Sequence, residues 1–540
     1  MNRRAPIRRL PSAHRLAGVL VSISLAGAAT GPSPSTPSPA AAPMMPVIVR
    51  AAPGAARGSE QAVEPPHLRN GVNGDTDPEG PLTTAGELVG APSYWEEGIT
   101  GRGVDVALID TGVAPVEGLA APGQVVNGPD LSFDSQATNH RHLDGHGHGT
   151  HMAGIIASRD DDDDALEDDD SDGGIGVAPG ARIINVKVGD YGGATDVSQV
   201  IAAIDWVVQH RNQGGLDIRV LNLSFGTDGS QSYKIDPLTF AAEMAWRKGI
   251  VVVVAAGNSG YGTSRLNDPA YDPSVIAVGA ADTKGTEDTS DDTVPEWSSR
   301  GDPARHPDIA APGTSIASLR VAGSWIDLNH PEGRVGSRWF RGGGTSQAAA
   351  FVSGAAALMI QQRPSITPDE VKETLTSSAT PLPSADALGQ GAGLLDLDQA
   401  LHAPTAAATQ APSIATGIGS LELARGSSHL ADGMIELRGS LDIFGTGWDS
   451  RRRALETRLG MSWSGGIFNG NRWAGDGWAG DRWLDTAWTA PSWSGTAWSE
   501  FDPSDNYWTG SRWSGGTWSG HRWSSDTWSG NRWSSVEWGS

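Results

Sequence analysis

Three side chains that together could carry out nucleophilic acyl transfer lie in three short, glycine-containing segments of the chain. Asp110 follows the apolar run VDVALI, His148 lies in GHGHGTHMAG, and Ser346 lies in GGGTSQAAA. A serine hydroxyl is a weak nucleophile at neutral pH, so it needs an imidazole that accepts its proton. The imidazole in turn needs a carboxylate that fixes its tautomer and orientation. All three residue types are present, in the order acid, base and nucleophile.

The elements that must position these residues can be predicted from the same segments. VDVALID is typical of a buried parallel strand, and this strand would end on Asp110. The other two segments each predict a glycine-rich turn that opens a helix, with His148 and Ser346 in the first turn. A further run, VVVVAAGNSG, predicts a buried strand that breaks at Gly257 and leaves Asn258 at its tip. The Asn258 amide and the Ser346 N–H could then stabilise the oxyanion of a tetrahedral intermediate.

These segments resemble those of the subtilisin-like serine proteases, the subtilase family. DTG, HGTH, AAGN and GTS stand in the family's order, and GVAPGARIINVKV, VLNLSFG and PDIAAPGTSIAS support the likeness between residues 94 and 401. The resemblance implies an endopeptidase in which Asp110, His148 and Ser346 form the catalytic triad and Asn258 completes the oxyanion hole. It also implies that the reaction needs no cofactor and that the partners are protein or peptide substrates.

Two short segments match the walls between which subtilases hold an extended substrate peptide. These are Ser224, Phe225 and Gly226 on one side and Gly193, Ala194 and Thr195 on the other. The peptide would add to the first wall as a further β-strand.

One position near the serine departs from the family pattern. Subtilases usually have a proline four residues after the serine, and here that position is Ala350. Proline suits the first turn of a helix because its φ is fixed and it has no N–H to leave unpaired. Alanine is also compatible with a helix. We therefore expect this departure to affect catalytic efficiency rather than the type of reaction.

Other interpretations of the same residues are weaker. DTG also occurs in aspartic proteases, whose two carboxylates share a proton, but the sequence has no second segment of this kind. A zinc site could be built from the histidines at 140, 142, 146, 148 and 151, yet the chain has no cysteine and no HExxH motif. We predict no metal in the catalytic site and interpret His151 as a packed structural residue. The remaining alternative is a binding or surface protein that keeps a protease scaffold.

Hydrophobic runs alternate with helical patterns throughout this region. The runs VDVALID, ARIINVKV, RVLNLSF, IVVVVAAG and SVIAVGA are interleaved with the helical patterns VSQVIAAIDWVVQH and FAAEMAWRKG. Such alternation predicts an α/β fold with a mostly parallel sheet and right-handed crossovers. We expect a three-layer, subtilisin-like core that spans residues 93–402.

The segment before this core has the composition of an export signal and a linker. Residues 1–30 combine a basic start with a short apolar stretch that ends in small residues, which predicts a bacterial signal peptide and a secreted or cell-surface protein. Residues 31–92 are rich in proline and alanine. Within them VIVRAAPGA is similar to the first strand of a subtilase propeptide. Too little chain follows for a complete propeptide, so we predict a vestigial one.

The formal net charge of −24 argues against a nucleic-acid partner. Much of the excess lies in RDDDDDALEDDDSDGG, residues 159–174. A block of like charges favours a solvated surface loop. A structural Ca²⁺ site, common in the family at this connection, remains the alternative because calcium prefers oxygen ligands. We favour the solvated loop, since adjacent aspartates lack the alternating ligand spacing of a shaped calcium loop.

The C-terminal part carries a tryptophan repeat. Between residues 463 and 538, fourteen tryptophans fall on a five-residue grid, with Phe468 and Pro503 at the two other grid positions, and Trp448 lies on the same grid. Residues 403–460 form a linker in which SLELARGS and GMIELRGSLDIFG suggest short strands. Residues 461–540 are predicted either as stacked short β-strands or as a low-complexity stalk. Exposed indoles there would suit contact with a cell wall or carbohydrate.

Overall fold

The structure is a computed structural model that describes part of the chain. It covers residues 85–136, 140–159, 176–261, 265–284, 289–405, 407–410, 414–427, 429–432, 435–464, 466–473 and 537–538. The predicted signal peptide, nearly all of the linker and propeptide, nearly all of the aspartate-rich run and repeats 474–536 lie outside these residues. The interpretations given for those segments, and the domain boundaries, stay predictions.

Seven strands form the main sheet, and ten α-helices occur in the described residues. The strands are β1 (Asp105–Asp110), β2 (Val125–Asp130), β3 (Arg182–Lys187), β4 (Ile218–Leu223), β5 (Val251–Ala255), β6 (Ile276–Ala281) and β7 (Ile309–Pro312). The helices are α1 (Pro92–Glu96), α2 (His148–Ala157), α3 (Val197–His210), α4 (Pro237–Arg247), α5 (Trp325–Asn329), α6 (Thr345–Gln362), α7 (Pro368–Ser377), α8 (Leu397–His402), α9 (Leu421–Arg425) and α10 (Ser450–Leu459). None of the helices in the described ranges is both long and apolar enough to cross a membrane.

The order of strands in the main sheet is β2-β3-β1-β4-β5-β6-β7, and all neighbouring strands are parallel. Helices α2 and α6 pack against each other and against the central strands, while α3 and α4 form a second packed pair on the other face. The prediction of a three-layer α/β core with a mostly parallel sheet is confirmed. The central position of β1 matters most for the site, because β3 and β4 flank it.

The local sequence explains where the helices of the second pair begin. The carboxylate of Asp196 caps α3 by accepting a hydrogen bond from the Ser198 N–H at 2.9 Å, and Gln199 completes a capping box. Helix α4 begins after the capping residue Asp236, with Pro237 at its first position. Helix α3 has the bounds that its hydrophobic pattern predicted. Strands β1 and β5 are buried along their whole lengths, as expected for the centre of a parallel sheet.

A second, smaller sheet leads into helix α6. It contains β8 (Ile316–Leu319), β9 (Arg334–Val335), β10 (Trp339–Gly343) and the short β16 (Glu537–Trp538), all paired antiparallel with β10. Because β10 ends two residues before Thr345, this sheet sets the point at which α6 begins.

The part of the chain that follows α8 is folded against the core. It contains α9, α10 and the short strands β11 (Ala431–Asp432), β12 (Ile435–Glu436), β13 (Trp463–Ser464), β14 (Ile467–Phe468) and β15 (Asn471–Arg472). The first repeat residues form a three-stranded antiparallel sheet, and β13 packs against α3. The segment SLELARGS is a helix rather than the expected strand. Ser420 caps α9, and Leu421, Ala424 and Arg425 are buried together on one helical face.

A buried cation lies beside the carboxyl end of β1. Lys187, the last residue of β3, has no exposed surface; its Nζ donates to Asp134 at 2.8 Å and to the Leu143 carbonyl at 2.5 Å. Burial tends to lower the pKa of Lys187, but Asp134 and Asp130 outweigh it and raise the pKa, so the side chain stays charged. Lys187 and the carboxylates of Asp130 and Asp134 therefore stabilise one another's charges inside the protein.

We expect Lys187→Met to lower the free energy of unfolding by about 3–5 kcal/mol, because the buried carboxylates lose their counter-charge. Denaturant unfolding in a Ser346→Ala background, which prevents self-digestion, measures this change. Lys284→Met is the matched control, since Lys284 is 41% exposed and pairs with Asp282 at the surface. The control should change the unfolding free energy by less than about 1 kcal/mol. Equal small effects of both substitutions would contradict the assigned role of Lys187.

Candidate active site

The predicted acid and base are joined by a hydrogen bond. Strand β1 ends at Asp110 and helix α2 begins at His148, whose Nδ1 lies 2.9 Å from Asp110 Oδ1 and 3.1 Å from Oδ2. Both side chains are buried. Burial raises the pKa of Asp110 to about 6, although the His148 ring and the Thr111 N–H act to lower it. A carboxylate in this position fixes the imidazole with Nε2 directed away from it, as a general base requires.

A second buried carboxylate, Asp144, ties the Asp110 loop to the start of the histidine helix. Its Oδ1 accepts from Thr111 Oγ1 at 2.8 Å and from the Gly147 N–H at 2.7 Å, while Oδ2 accepts from the Thr150 N–H at 2.7 Å. Thr111 Oγ1 also accepts from the Gly149 N–H at 2.9 Å. Asp144 and Thr111 were missed from the sequence. An aspartate four residues before His148, just ahead of a helix, is a signal that could have indicated Asp144.

The predicted nucleophile lies in the first turn of α6. Ser346 Oγ lies 3.4 Å from the carbonyl oxygen of Ser224, and Ser224 Oγ donates to the Ser346 carbonyl at 3.2 Å. Helix α6 packs against α2, so the helix that begins at His148 and the helix that carries Ser346 are direct neighbours. Ser224 follows β4, the strand next to β1. The structure therefore brings together residues that are far apart in sequence.

Asn258 is held by hydrogen bonds to Thr345, the residue before Ser346. Its Oδ1 accepts from both the N–H and the hydroxyl of Thr345, each at 3.0 Å. These contacts assign the carbonyl side of the amide to Thr345, and they leave its NH₂ group as the donor side. Gly257, the residue before it, has φ of 110°, a conformation that favours glycine at the break after β5.

The two predicted substrate walls leave the strands that flank β1. Ser224, Phe225 and Gly226 directly follow β4, whereas Gly193, Ala194 and Thr195 lie between β3 and α3. Asp190 shapes the second wall, because its Oδ1 accepts from the Ala194 N–H at 2.8 Å. Carboxyl ends of parallel strands meet at one edge of a sheet, so both segments lie at the same edge as Asp110.

The neighbouring histidines are parts of the core. His151 is buried with its Nε2 3.0 Å from the Phe340 carbonyl, and burial lowers its pKa to about 3. Burial likewise lowers the pKa of His142 to about 3. Both rings are therefore neutral at ordinary pH. Within the described residues, no group of three or more His, Asp or Glu side chains is arranged to hold a metal ion.

Ala350 lies inside an unbroken helix. It is completely buried, and α6 runs from Thr345 to Gln362 through it. Proline is therefore not needed for this helix to begin just before Ser346.

The chain is similar to known proteases over this region. The model of the subtilase family, Peptidase_S8, matches residues 101–401. Serine protease AprX of Bacillus subtilis (strain 168) is 38% identical over 329 residues, which cover 59% of this chain and 71% of that protein. Subtilisin DY of Bacillus licheniformis is 34% identical over 317 residues, which cover 58% of this chain and 96% of that protein.

One solved structure is described as that of a cold adapted subtilisin-like serine proteinase. It is 29% identical, with a TM-score of 0.41, and the match covers 55% of this chain and 90% of that chain. The family match spans more than half of the sequence and includes Asp110, His148, Asn258 and Ser346. The chain belongs to the subtilase family, the subtilisin-like serine proteases.

Proposed function

We propose that this protein is an exported serine endopeptidase that hydrolyses peptide bonds through an acyl-enzyme intermediate. The observation that carries the proposal is the 2.9 Å contact between His148 and Asp110, on a helix packed against the one that carries Ser346. A base that is oriented by a buried carboxylate, on a helix packed against one whose first turn carries a serine, suits acyl transfer.

Each of these residues has a distinct role in the proposed reaction. His148 Nε2 takes the proton of Ser346 Oγ as that oxygen attacks the scissile carbonyl carbon, and Asp110 stabilises the imidazolium that forms. The Asn258 amide and the Ser346 N–H donate to the oxyanion. When the intermediate collapses, the imidazolium gives its proton to the leaving amine. Water, activated by the same imidazole, then hydrolyses the acyl-enzyme.

The acyl part of the substrate is proposed to lie extended between the two walls. Its backbone would pair with Ser224–Gly226, while Gly193, Ala194 and Thr195 close the opposite side. Because the backbone carries this pairing, it favours extended segments of protein chains over folded ones.

Three further proposals concern segments outside the described residues. Export rests on the basic and apolar pattern of residues 1–30. For the aspartate-rich run of residues 159–174 a solvated loop stays the favoured prediction, and a structural calcium site, which the reaction itself would not use, stays the alternative. Carbohydrate contact would require exposed indoles in the repeats after residue 473, because Trp463 and Trp473 are buried.

A fluorophosphonate probe should label the wild-type protein and fail to label Ser346→Ala, because the probe reacts with an activated serine hydroxyl. Ser353→Ala is the matched control, since Ser353 lies in the same helix but bonds to Asn222 at 2.8 Å in the core. The control should still be labelled. A folded wild-type protein that is not labelled would favour the alternative of a binding protein on a protease scaffold.

Asn258→Leu should lower kcat about 10²–10³-fold with little change in KM, because one oxyanion donor is lost only in the transition state. This range is the one known for the corresponding type of residue in a subtilisin. Steady-state hydrolysis of a peptide substrate measures it, and the thermal unfolding temperature serves as the control for lost contacts to Thr345. A kcat close to that of the wild type would exclude Asn258 from the oxyanion hole.

The acid limb of kcat/KM should fall about tenfold per pH unit below pH about 6. The active form needs ionised Asp110, because a protonated carboxyl group no longer fixes the orientation of the His148 ring. Burial raises the pKa of Asp190 to about 7. Because Asp190 accepts a hydrogen bond from Ala194 in the second wall, its protonation could add a second transition to the pH profile of kcat/KM. An Asp190→Asn variant removes that titration and should keep the transition near 6. A flat profile through this range would contradict the assignment.

A further inference from the structure

Arg425, the last residue of α9, is a completely buried cation in the part of the chain beyond the family match. Its Nε donates to Asp196 Oδ2 at 2.6 Å, and its Nη1 donates to the Gly439 carbonyl at 2.7 Å. Nη2 donates to the Leu441 carbonyl. A buried guanidinium with this many partners holds the groups around it in one geometry.

The partner carboxylate belongs to the catalytic core, next to a proposed substrate wall. Asp196 caps α3 and directly follows Thr195, the last residue of the wall. Its Oδ1 accepts from the Ser198 N–H, while Oδ2 faces Arg425. Arg425 therefore holds the helix start from which this wall extends.

The same short helix also contacts the chain that continues from the opposite wall. The Ser230 N–H donates to the Leu423 carbonyl at 3.3 Å, and the Ser427 N–H donates to Asp228 Oδ1 at 2.7 Å. Asp228 lies two residues after Gly226. Helix α9 and the residues directly after it thus contact Asp196, which adjoins one wall, and residues 228–230, which continue the other.

We infer that α9 is a brace between the two substrate walls, with Arg425 as a positioning residue that sets their spacing. The inference rests on the proposed function of these walls. The residues that form the brace lie outside the region matched by the family model, so the brace adds a specificity element to the core.

The brace acts at a defined distance from the reacting bond. Ser224 contacts Ser346, whereas the α9 segment reaches the same chain at Asp228, four residues further along. An extended chain advances about 3.3 Å per residue, so four residues span at most about 13 Å. The brace should therefore govern the fit of substrate residues about four positions from the scissile bond. The hydrolysis of substrates too short to reach that position should not depend on it.

The test compares two substrates with the full-length Arg425→Met variant. Digestion of a denatured protein first identifies a residue that the enzyme accepts at the scissile bond. An N-acyl ester of that residue and a fluorogenic amide of a five-residue peptide that ends in it form the pair. For the peptide, kcat/KM should fall about tenfold or more, mainly through KM, because small misplacements of a substrate site are costly. For the ester, kcat/KM should stay within about twofold.

Arg438→Met is the matched control, because Arg438 is 59% exposed and pairs with Glu422 and Glu436 of the same segment. It should leave both substrates unaffected. If Arg425→Met does not fold, Asp228→Ala provides the test instead. It removes the acceptor of the Ser427 N–H and keeps the buried ion pair between Arg425 and Asp196. This variant should again lower kcat/KM for the peptide and leave kcat/KM for the ester unchanged.

An unchanged ratio of peptide to ester hydrolysis in the folded variants would overturn the brace. Equal losses on both substrates would overturn it too, because they would indicate a general structural effect. A wild-type protein that hydrolyses neither substrate would instead contradict the proposed function.

Discussion

The position of β1 between β3 and β4 in a fully parallel sheet is the constraint on which the site depends. Parallel neighbours require that every strand leaves the sheet at the same edge, with a crossover connection returning the chain to the other end. Asp110 and the proposed substrate segments after β3 and β4 therefore lie at one edge without any local sequence signal that joins them. Helices α2 and α6 then need only begin at this edge to bring their first-turn side chains to the same place.

Buried charges make this arrangement rigid. Asp144 accepts hydrogen bonds from both the loop after β1 and the start of α2, so it links the chain at Asp110 to the helix that begins at His148. Lys187 plays a similar part beside it, where it compensates Asp134. Burying such groups costs free energy, and replacing a whole set of them by apolar residues often leaves the stability of the protein unchanged. Removing one partner alone is destabilising, because it leaves an uncompensated buried charge. Paired polar groups therefore add directional contacts at Asp110 and His148 to the apolar packing of the surrounding elements.

Much of this site could be predicted from local sequence, and the rest could not for an identifiable reason. Asp110, His148, Ser346 and Asn258 each lie at an element boundary that hydrophobic runs and glycines indicate. Asp144 and Arg425 act through partners that are distant in sequence, Thr111 and Asp196 respectively. No local sequence pattern predicts such pairs. The segment around Leu421 was expected to be a strand because its apolar residues alternate over a short run. A cap and tertiary burial made it a helix.

The first repeat residues show how a five-residue period can bury its aromatic rings on one side. Along a single extended strand, positions five apart point to opposite faces. Here a turn separates successive grid positions, so Trp463 and Phe468 become cross-strand partners with ring centroids 5.0 Å apart. Trp473 packs against Phe468 at 5.2 Å, and its Nε1 donates to the Phe468 carbonyl at 2.7 Å. A five-residue period can therefore bring aromatic rings together in a small core when each five-residue unit contains a turn. The serine and glycine residues of the units favour such turns.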